Sequence, residues 1–401
     1  MVANESNYQY LFRLHEAALK GIQKYSRKRY LYNHVNPKIG KHFLGIMGLR
    51  GVGKSILLKQ WASELPNSLY ISIDTLEDVS IFELIKTLSE SFGITSFLLD
   101  EIHYYKNINA DLKKIYDLLE VKIIFTSSVA LAMHDTAHDL SRRVKLETIY
   151  PFSYGEYLYF KQEISLPTLS LEEILAYKTT PHLQSGYEMD TYLQGGNMPF
   201  ALEEPDMLPL LKNILNTIIE KDIPRIHTLN TSELTDIHKC VEFIGLSGID
   251  GINYTSISKN LKITKYKAEQ YINLLCKAFV LHRLRPKGTN VTQEPKILMQ
   301  LPFRLLYSHY EDSIGAIRED FTVDMLQSAG NEIYYLKSTR GSKTPDFLIC
   351  HNKKNIVIEV GGKTKGRTQF KNIKYDEKYI FSHDTKVDNI RRPLFLLGFL
   401  R

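Results

Sequence analysis

Three glycines, a lysine and a serine set the chemistry this chain can do. Gly48-Leu49-Arg50-Gly51-Val52-Gly53-Lys54-Ser55 fits the spacing G-x-x-x-x-G-K-[ST] at every fixed position. Glycines let the backbone turn tightly and bring the N–H groups of Gly48, Gly51, Val52 and Gly53 against phosphate oxygens, where a Cβ would collide. Lys54 would neutralise the β and γ phosphates of ATP, and the Ser55 hydroxyl would hold Mg²⁺ at the start of a helix whose N-terminus adds partial positive charge. A second pair of groups completes the set. Ser96-Phe97-Leu98-Leu99-Asp100-Glu101 is an apolar run ending in two carboxylates, with Asp100 placed to hold Mg²⁺ and Glu101 to polarise an attacking water.

Such groups need a sheet behind them. The apolar run Phe43 to Met47 precedes the loop and Ile56 to Ala62 follows it, which is the required order of strand, loop and helix. Leu69 to Ile73 supplies another strand of the same sheet. A helix around Ala110 to Leu119 leads to Val121-Lys122-Ile123-Ile124-Phe125-Thr126-Ser127-Ser128, a β-branched strand ending in hydroxyls. In ATPases with an extra strand between the loop strand and the Asp-Glu strand, a polar residue there senses the γ-phosphate. Thr126 and Ser128 are the two candidates, against the alternative of a Ser/Thr-rich turn that caps the next helix. Residues 7–24 read as an amphipathic helix ahead of the sheet. The basic Arg27-Lys28-Arg29-Tyr30 that follows reads as a solvated turn, or as a flank for the nucleotide base.

The chain of 401 residues is too long for one core, and its 43% apolar and 24% charged content describes a folded protein with several domains. Cys240, Cys276 and Cys350 form no C-x-x-C pair, so neither a zinc site nor a disulfide framework is supported. With no leader-like N-terminus and no run long enough for a bilayer, the expectation is a cytoplasmic protein without a membrane partner. Charge is uneven. From Gly251 onward there are 26 Lys and Arg against 14 Asp and Glu, a balance of +12, which leaves −6 for residues 1–250. The basic half is the candidate for meeting double-stranded DNA, with lysine-rich solvated faces as the plain alternative.

Further along, Leu140-Ser141-Arg142-Arg143 leads into Tyr150-Pro151-Phe152-Ser153-Tyr154-Gly155-Glu156-Tyr157-Leu158. Together with the loop, Leu99-Asp100-Glu101 and the Thr126 strand, this resembles the prokaryotic AAA-type P-loop ATPases that carry a C-terminal domain of unknown function. Tyr192-Leu193-Gln194-Gly195-Gly196-Asn197-Met198-Pro199 looks like that family's Gly-Gly-x-x-Pro segment, and Ile219-Glu220-Lys221-Asp222-Ile223 like its short acidic helix end. The resemblance runs over nearly the whole chain. It implies an arginine that stabilises γ-phosphate charge, matched by Arg143 and acting in its own site or in a neighbour's, the latter requiring a homo-oligomer.

The expected fold is α/β: a P-loop, AAA-type three-layer core over residues 1–165, a helical lid over 166–231, a winged helix over 232–290 and a small α/β nuclease-like domain over 291–401. In the winged helix, Glu233–Phe243 and Tyr254–Leu261 are helical, and a third helix is N-capped by Thr264. Lys265, Tyr266, Lys267 and Gln270 open that third helix, placed for a major groove or for a protein partner. In the last block, Pro345 to Cys350, a turn over His351 to Asn355, and Ile356 to Val360 form a hairpin resembling the PD-(D/E)XK nuclease pattern. Asp346 and Glu359 would meet there on Mg²⁺, with Glu319 on the helix Ala316–Leu326 as a third carboxylate. Gly361 stands where the pattern has its lysine, and Lys363 is the nearest substitute, followed by Lys365 and Gln369. This departure favours an inactive or remodelled nuclease-like fold over a working nuclease. ATP and Mg²⁺ are the expected cofactors. The ATPase would drive nucleic-acid work or, alternatively, a nucleotide-gated grip on a protein.

Overall fold

The computed structural model describes residues 5–38, 40–76, 79–128, 142–177, 180–249, 251–288, 294–336, 344–362, 370 and 375–401. It divides into two compact units, residues 1–150 with 221–228, and residues 151–220 with 229–401.

In the first unit, five strands lie parallel in the order β2-β3-β4-β1-β5. They are β1 (Phe43–Met47), β2 (Ser68–Ser72), β3 (Ser96–Asp100), β4 (Lys122–Ser127) and β5 (Val144–Thr148). Near-continuous apolar runs are what a parallel sheet covered on both faces demands, and every residue of β1 is buried. Helices α1 (Glu5–Ile22), α2 (Tyr30–His34), α3 (Lys54–Glu64), α4 (Ile81–Phe92) and α5 (Ile108–Leu118) accompany the strands. The α3 face carrying Leu57, Leu58 and Trp61 is buried, each such side chain contributing roughly 1.5–3 kcal/mol of transfer free energy. Ser80 caps α4 by accepting from the Glu83 N–H, and Gly93, at φ 68°, ends it. The exposed edge at β2 is protected from α1, where the His15 Nδ1 accepts from the Tyr70 N–H at 3.0 Å.

The sequence-expected extra strand is β4, which lies between β1 and β3. All five strands point the same way, so their C-terminal ends share one edge, and the crevice outside that edge is where such sheets bind ligands.

The second unit is built on a mixed sheet of β8 (Glu332–Tyr335), β9 (Phe347–His351), β10 (Lys354–Gly361), β11 (Glu377–Ser382) and β12 (Arg391–Pro393), in the order β12-β11-β10-β9-β8. β8, β9 and β10 are antiparallel neighbours, whereas β10, β11 and β12 run parallel. The β9–β10 turn is tighter than the five residues expected. Asn352 and Lys353 take φ of 47° and 63°, the paired positive values of a two-residue hairpin loop.

Three helices precede this sheet: α8 (Thr231–Leu246), α9 (Tyr254–Leu261) and α10 (Lys265–Lys277), counted after α6 (Tyr154–Gln162) and α7 (Leu208–Thr217). Thr264 caps α10, as its position before Lys265 predicts, by accepting from the Lys267 N–H. The antiparallel pair β6 (Leu281–Leu284) and β7 (Lys296–Met299) follows. Helix α11 (Tyr310–Ser328) then packs on the mixed sheet through Ile317, Phe321 and Leu326.

One boundary falls earlier than the 165 expected. Phe152, Tyr154, Tyr157 and Leu158 are buried in the same apolar cluster as Tyr192, Phe321, Phe395 and Phe399. The helical spacing of residues 154–162 marks a buried face without saying which core it joins. That core belongs to the second unit, which also holds 166–220.

Candidate functional site

Gly48 follows the last residue of β1 and Gly53 caps α3 in a left-handed conformation at φ 92°. At Gly48 a Cβ would stand 2.2 Å from the Ile149 carbonyl oxygen, so only glycine lets the loop leave the sheet there. Lys54 is buried. Its ammonium donates to the carbonyls of Gly48 and Leu49, each at 3.0 Å, and burial lowers its pKa against the pull of Glu101 and Asp100. An ammonium has three donors and these bonds use two, so the donor set suits a phosphate oxygen as the third partner. Ser55 lies in the first turn of α3, half-buried.

A residue that the sequence left as a solvated turn supports the loop from outside it. Arg29 is buried, and its guanidinium donates to the Val52 carbonyl at 2.6 Å and to the Tyr150 carbonyl at 2.8 Å. These bonds fix the carbonyl side of Val52, while the Gly48 N–H, expected to face phosphate, donates instead to the Ser127 carbonyl at 3.3 Å.

Asp100 and Glu101 end β3 under different restraints. The Asp100 carboxylate accepts from the Tyr70 hydroxyl at 2.7 Å and from the Thr126 hydroxyl, while Thr126 Oγ1 also accepts from the Glu101 N–H at 2.9 Å. Burial and the neighbouring Asp100 push the Tyr70 phenol well above its ordinary range, so it stays a donor. Two hydroxyls thus orient a buried carboxylate while leaving lone pairs for a cation. Glu101 takes the left-handed region at φ 53°, a strained position for a side chain of this size. The Ser128 hydroxyl lies 2.9 Å from both Glu101 oxygens, and His103 Nδ1 lies 3.3 Å from Oε2.

Thr126 and Ser128, offered as alternative phosphate sensors, are therefore brought to the two carboxylates, one to each. His103 is buried between Glu101 and Asp222, whose Oδ1 is 3.8 Å from its Nε2. Asp222 arrives from the segment 221–228 and takes the Arg50 guanidinium in a two-point contact of 2.6 and 2.8 Å. Arg50 also donates to the Tyr104 hydroxyl at 2.9 Å, and the Arg225 guanidinium lies 3.8 Å from the Tyr104 ring centroid. None of Arg29, Tyr70, Arg50 and Asp222 stands out by spacing. For Asp222 the acidic helix end was the one available signal.

Arg143 is not brought to this site. It precedes β5, pairs with Asp117 at 2.9 Å and passes its carbonyl to the Phe43 N–H, all at the N-terminal edge of the sheet. The loop starts at the opposite edge, about 13 Å away along four strand steps. Its Asp117 pair and its carbonyl bond to Phe43 hold Arg143 at that edge, away from the loop.

Asp346, immediately before β9, and Glu359 in the adjacent antiparallel β10 lie next to each other, one step beyond the Phe347–Ile358 pair. Among the described residues, no group of three or more His, Cys, Asp or Glu side chains could hold a metal ion. Asp346 accepts from the Val360 N–H at 2.7 Å, Glu359 is buried in β10, and Glu319 is 2.9 Å from the Lys296 ammonium. The same Lys296 ammonium lies 5.4 Å from the ring centroid of Phe347, the first residue of β9. Lys363, Lys365 and Gln369 lie outside the described residues.

A loop after β1, carboxylates after β3 and hydroxyls after an interposed β4 make the arrangement of a phosphate-binding P-loop sheet. A family model described as an AAA domain matches residues 40–158, and one described as a domain of unknown function (DUF8612) matches residues 187–300. An uncharacterised protein of Methanocaldococcus jannaschii is 28% identical over 90% of this chain and 86% of its own length. An uncharacterised protein of Haemophilus influenzae is 24% identical over 65% of this chain and 66% of its own. Among solved structures, a RuvB variant of Thermotoga maritima is 15% identical over 69% of this chain and 89% of that one, with a TM-score of 0.30. AMPPCP-bound DnaA of Aquifex aeolicus is 16% identical over 69% and 90%, with a TM-score of 0.23. No helix among the described residues is long and apolar enough to cross a membrane.

Proposed function

We propose that this chain binds ATP with Mg²⁺ and hydrolyses it, using Glu101 as the general base. The observation that carries the reading is the arrangement at the end of β3. Asp100 is aimed by Tyr70 and Thr126, and beside it Glu101 is held through both oxygens by Ser128. Gly51, Val52, Gly53 and Lys54 would hold the phosphates, and Ser55 and Asp100 the cation. Bound Mg²⁺ would supply neutralisation of the charge that develops on the transferred phosphoryl group. Glu101, more exposed than the buried Asp100, would accept the proton of a water aligned with the γ-phosphate. Exchanging Glu101 for Gln should leave ATP binding intact and lower turnover by about 10²- to 10⁴-fold.

We infer further that hydrolysis drives a protein-gripping switch in residues 229–401. Two of the groove-facing lysines expected for DNA are already engaged. Lys265 pairs with Glu294, and Lys267 is 3.5 Å from Glu233. The second reading, contact with double-stranded DNA through a winged helix, is favoured by Tyr266, which is 68% exposed at the start of α10, and by the +12 balance. Salt separates them. DNA contact predicts binding that weakens steeply as salt rises, whereas the switch predicts no binding at low salt and a partner retained in one nucleotide state. Arg143, if it acts on a nucleotide at all, acts in a neighbouring subunit's site, and a monomer in the presence of ATP would end that role.

A further inference from the structure

Asp222 has a place in the site that its sequence position, 168 residues after the loop, does not suggest. Its carboxylate is fully buried, and burial alone would raise its pKa. The two hydrogen bonds from Arg50, with the His103 ring 3.8 Å away, more than offset this and hold it below the ordinary aspartate value. A buried carboxylate kept ionised has to be paired, and here one partner belongs to the phosphate loop while the other faces the general base. The π-turn Ile218–Asp222 delivers it, and backbone of this rare kind clusters at functional sites. The short helix Ile223–Ile226 continues from it, with Arg225 on the Tyr104 ring.

We propose that Asp222 is a positioning residue for the ATPase site. Its two oxygens fix Arg50 in the loop and back His103 against Glu101, so loop and base are set by one carboxylate. The segment that carries Asp222 is an excursion. Residues 221–228 belong to the first unit, while the chain on either side belongs to the second. A pull along the preceding flank reaches Asp222 within two residues, and through it Arg50, while a pull along the following flank meets Arg225 on the Tyr104 ring first, and Tyr104 also holds Arg50. Nucleotide occupancy and the state of residues 229–401 are thereby linked through Arg50 and the groups that hold it, and the linkage works equally in both directions. This deepens the hydrolysis reading and rests on it.

The test uses the full chain carrying Asp222→Asn, Asp222→Ala, Arg50→Ala, and the Arg50→Ala/Asp222→Ala double exchange. Turnover, Mg·ATP affinity and backbone hydrogen exchange over residues 221–228 are measured for each. The expected result for Asp222→Ala is a kcat about ten- to hundredfold lower, the loss typical of a removed outer-shell partner. KM and ATP affinity should move by less than about threefold. The double exchange should cost no more than the worse single one, because both break the same link. Exchange over 221–228 should quicken in the nucleotide-free protein. If the Ala variant does not fold, Asp222→Asn, which keeps the volume and loses the charge, carries the same expectations at smaller size. An unchanged kcat, single losses that multiply in the double variant, or unaltered hydrogen exchange would each overturn the proposal. A wild-type protein that binds Mg·ATP without turning it over would instead sink the hydrolysis reading, while hydrogen exchange and affinity would still report on the link.

Discussion

Both units bury acidic residues, at the end of β3 in the first and within α11 in the second, and the two treat them in opposite ways. After β3, Asp100 and Glu101 are met by hydroxyls from Tyr70, Thr126 and Ser128, neutral donors that aim a carboxylate without cancelling its charge. In the second unit, charge is spent on cohesion. Arg304 and Asp320, both fully buried, form a two-point pair at 2.6 and 3.2 Å, and Arg304 Nη1 also takes the carbonyls of Ile244, Gly245 and Ser247 at the end of α8. Four residues on, Asp324 accepts from Gln300 and the Leu301 N–H and pairs with His282. A carboxylate matched with a cation ties helix to strand. One matched with hydroxyls keeps its charge available for a ligand.

This contrast can be broken at several points. The largest stability effect should come from Arg304→Met, which leaves Asp320 buried without its cation and should cost about 3–5 kcal/mol in urea unfolding of the second unit. A loss under about 1 kcal/mol would show that the pair is not structural. Next, Asp100→Asn should lower Mg²⁺-dependent turnover by at least about a hundredfold. The matching exchange Asp346→Asn should leave turnover unchanged, and a joint loss would erase the distinction between the two strand ends. Smallest is Tyr70→Phe. It removes one hydroxyl from Asp100 at about 0.5–1.5 kcal/mol, seen as a higher Mg²⁺ concentration for half-maximal turnover at unchanged ATP affinity.

The sequence shows the parts of the site that are local. Gly48 to Ser55 and Asp100-Glu101 are contiguous, and apolar runs placed β1 to β4 of the first sheet, while β5, buried only at Val144, went unread. The hairpin of β9 and β10 was legible for the same reason, although Asn352 and Lys353 make its turn shorter than the charged stretch suggested. What stayed hidden are partners distant along the chain. Arg29 looks like any cation in a basic turn until Val52 and Tyr150 are brought beside it. Tyr70 looks like strand filler, and Asp222 like a helix end. Arg143, matched through the family resemblance with its own or a neighbour's site left open, lies at the edge of the sheet opposite the loop. The boundary near 150 was missed because the aromatic face of α6 announces burial without naming the core that receives it.

The central claim is that Glu101 activates water while other residues bind the nucleotide. Its most direct test is to measure Mg·ATP binding and steady-state hydrolysis side by side for the wild type and Glu101→Gln. The account predicts equal affinity and a turnover that falls to background in the variant. Hydrolysis at the wild-type rate by Glu101→Gln would contradict it.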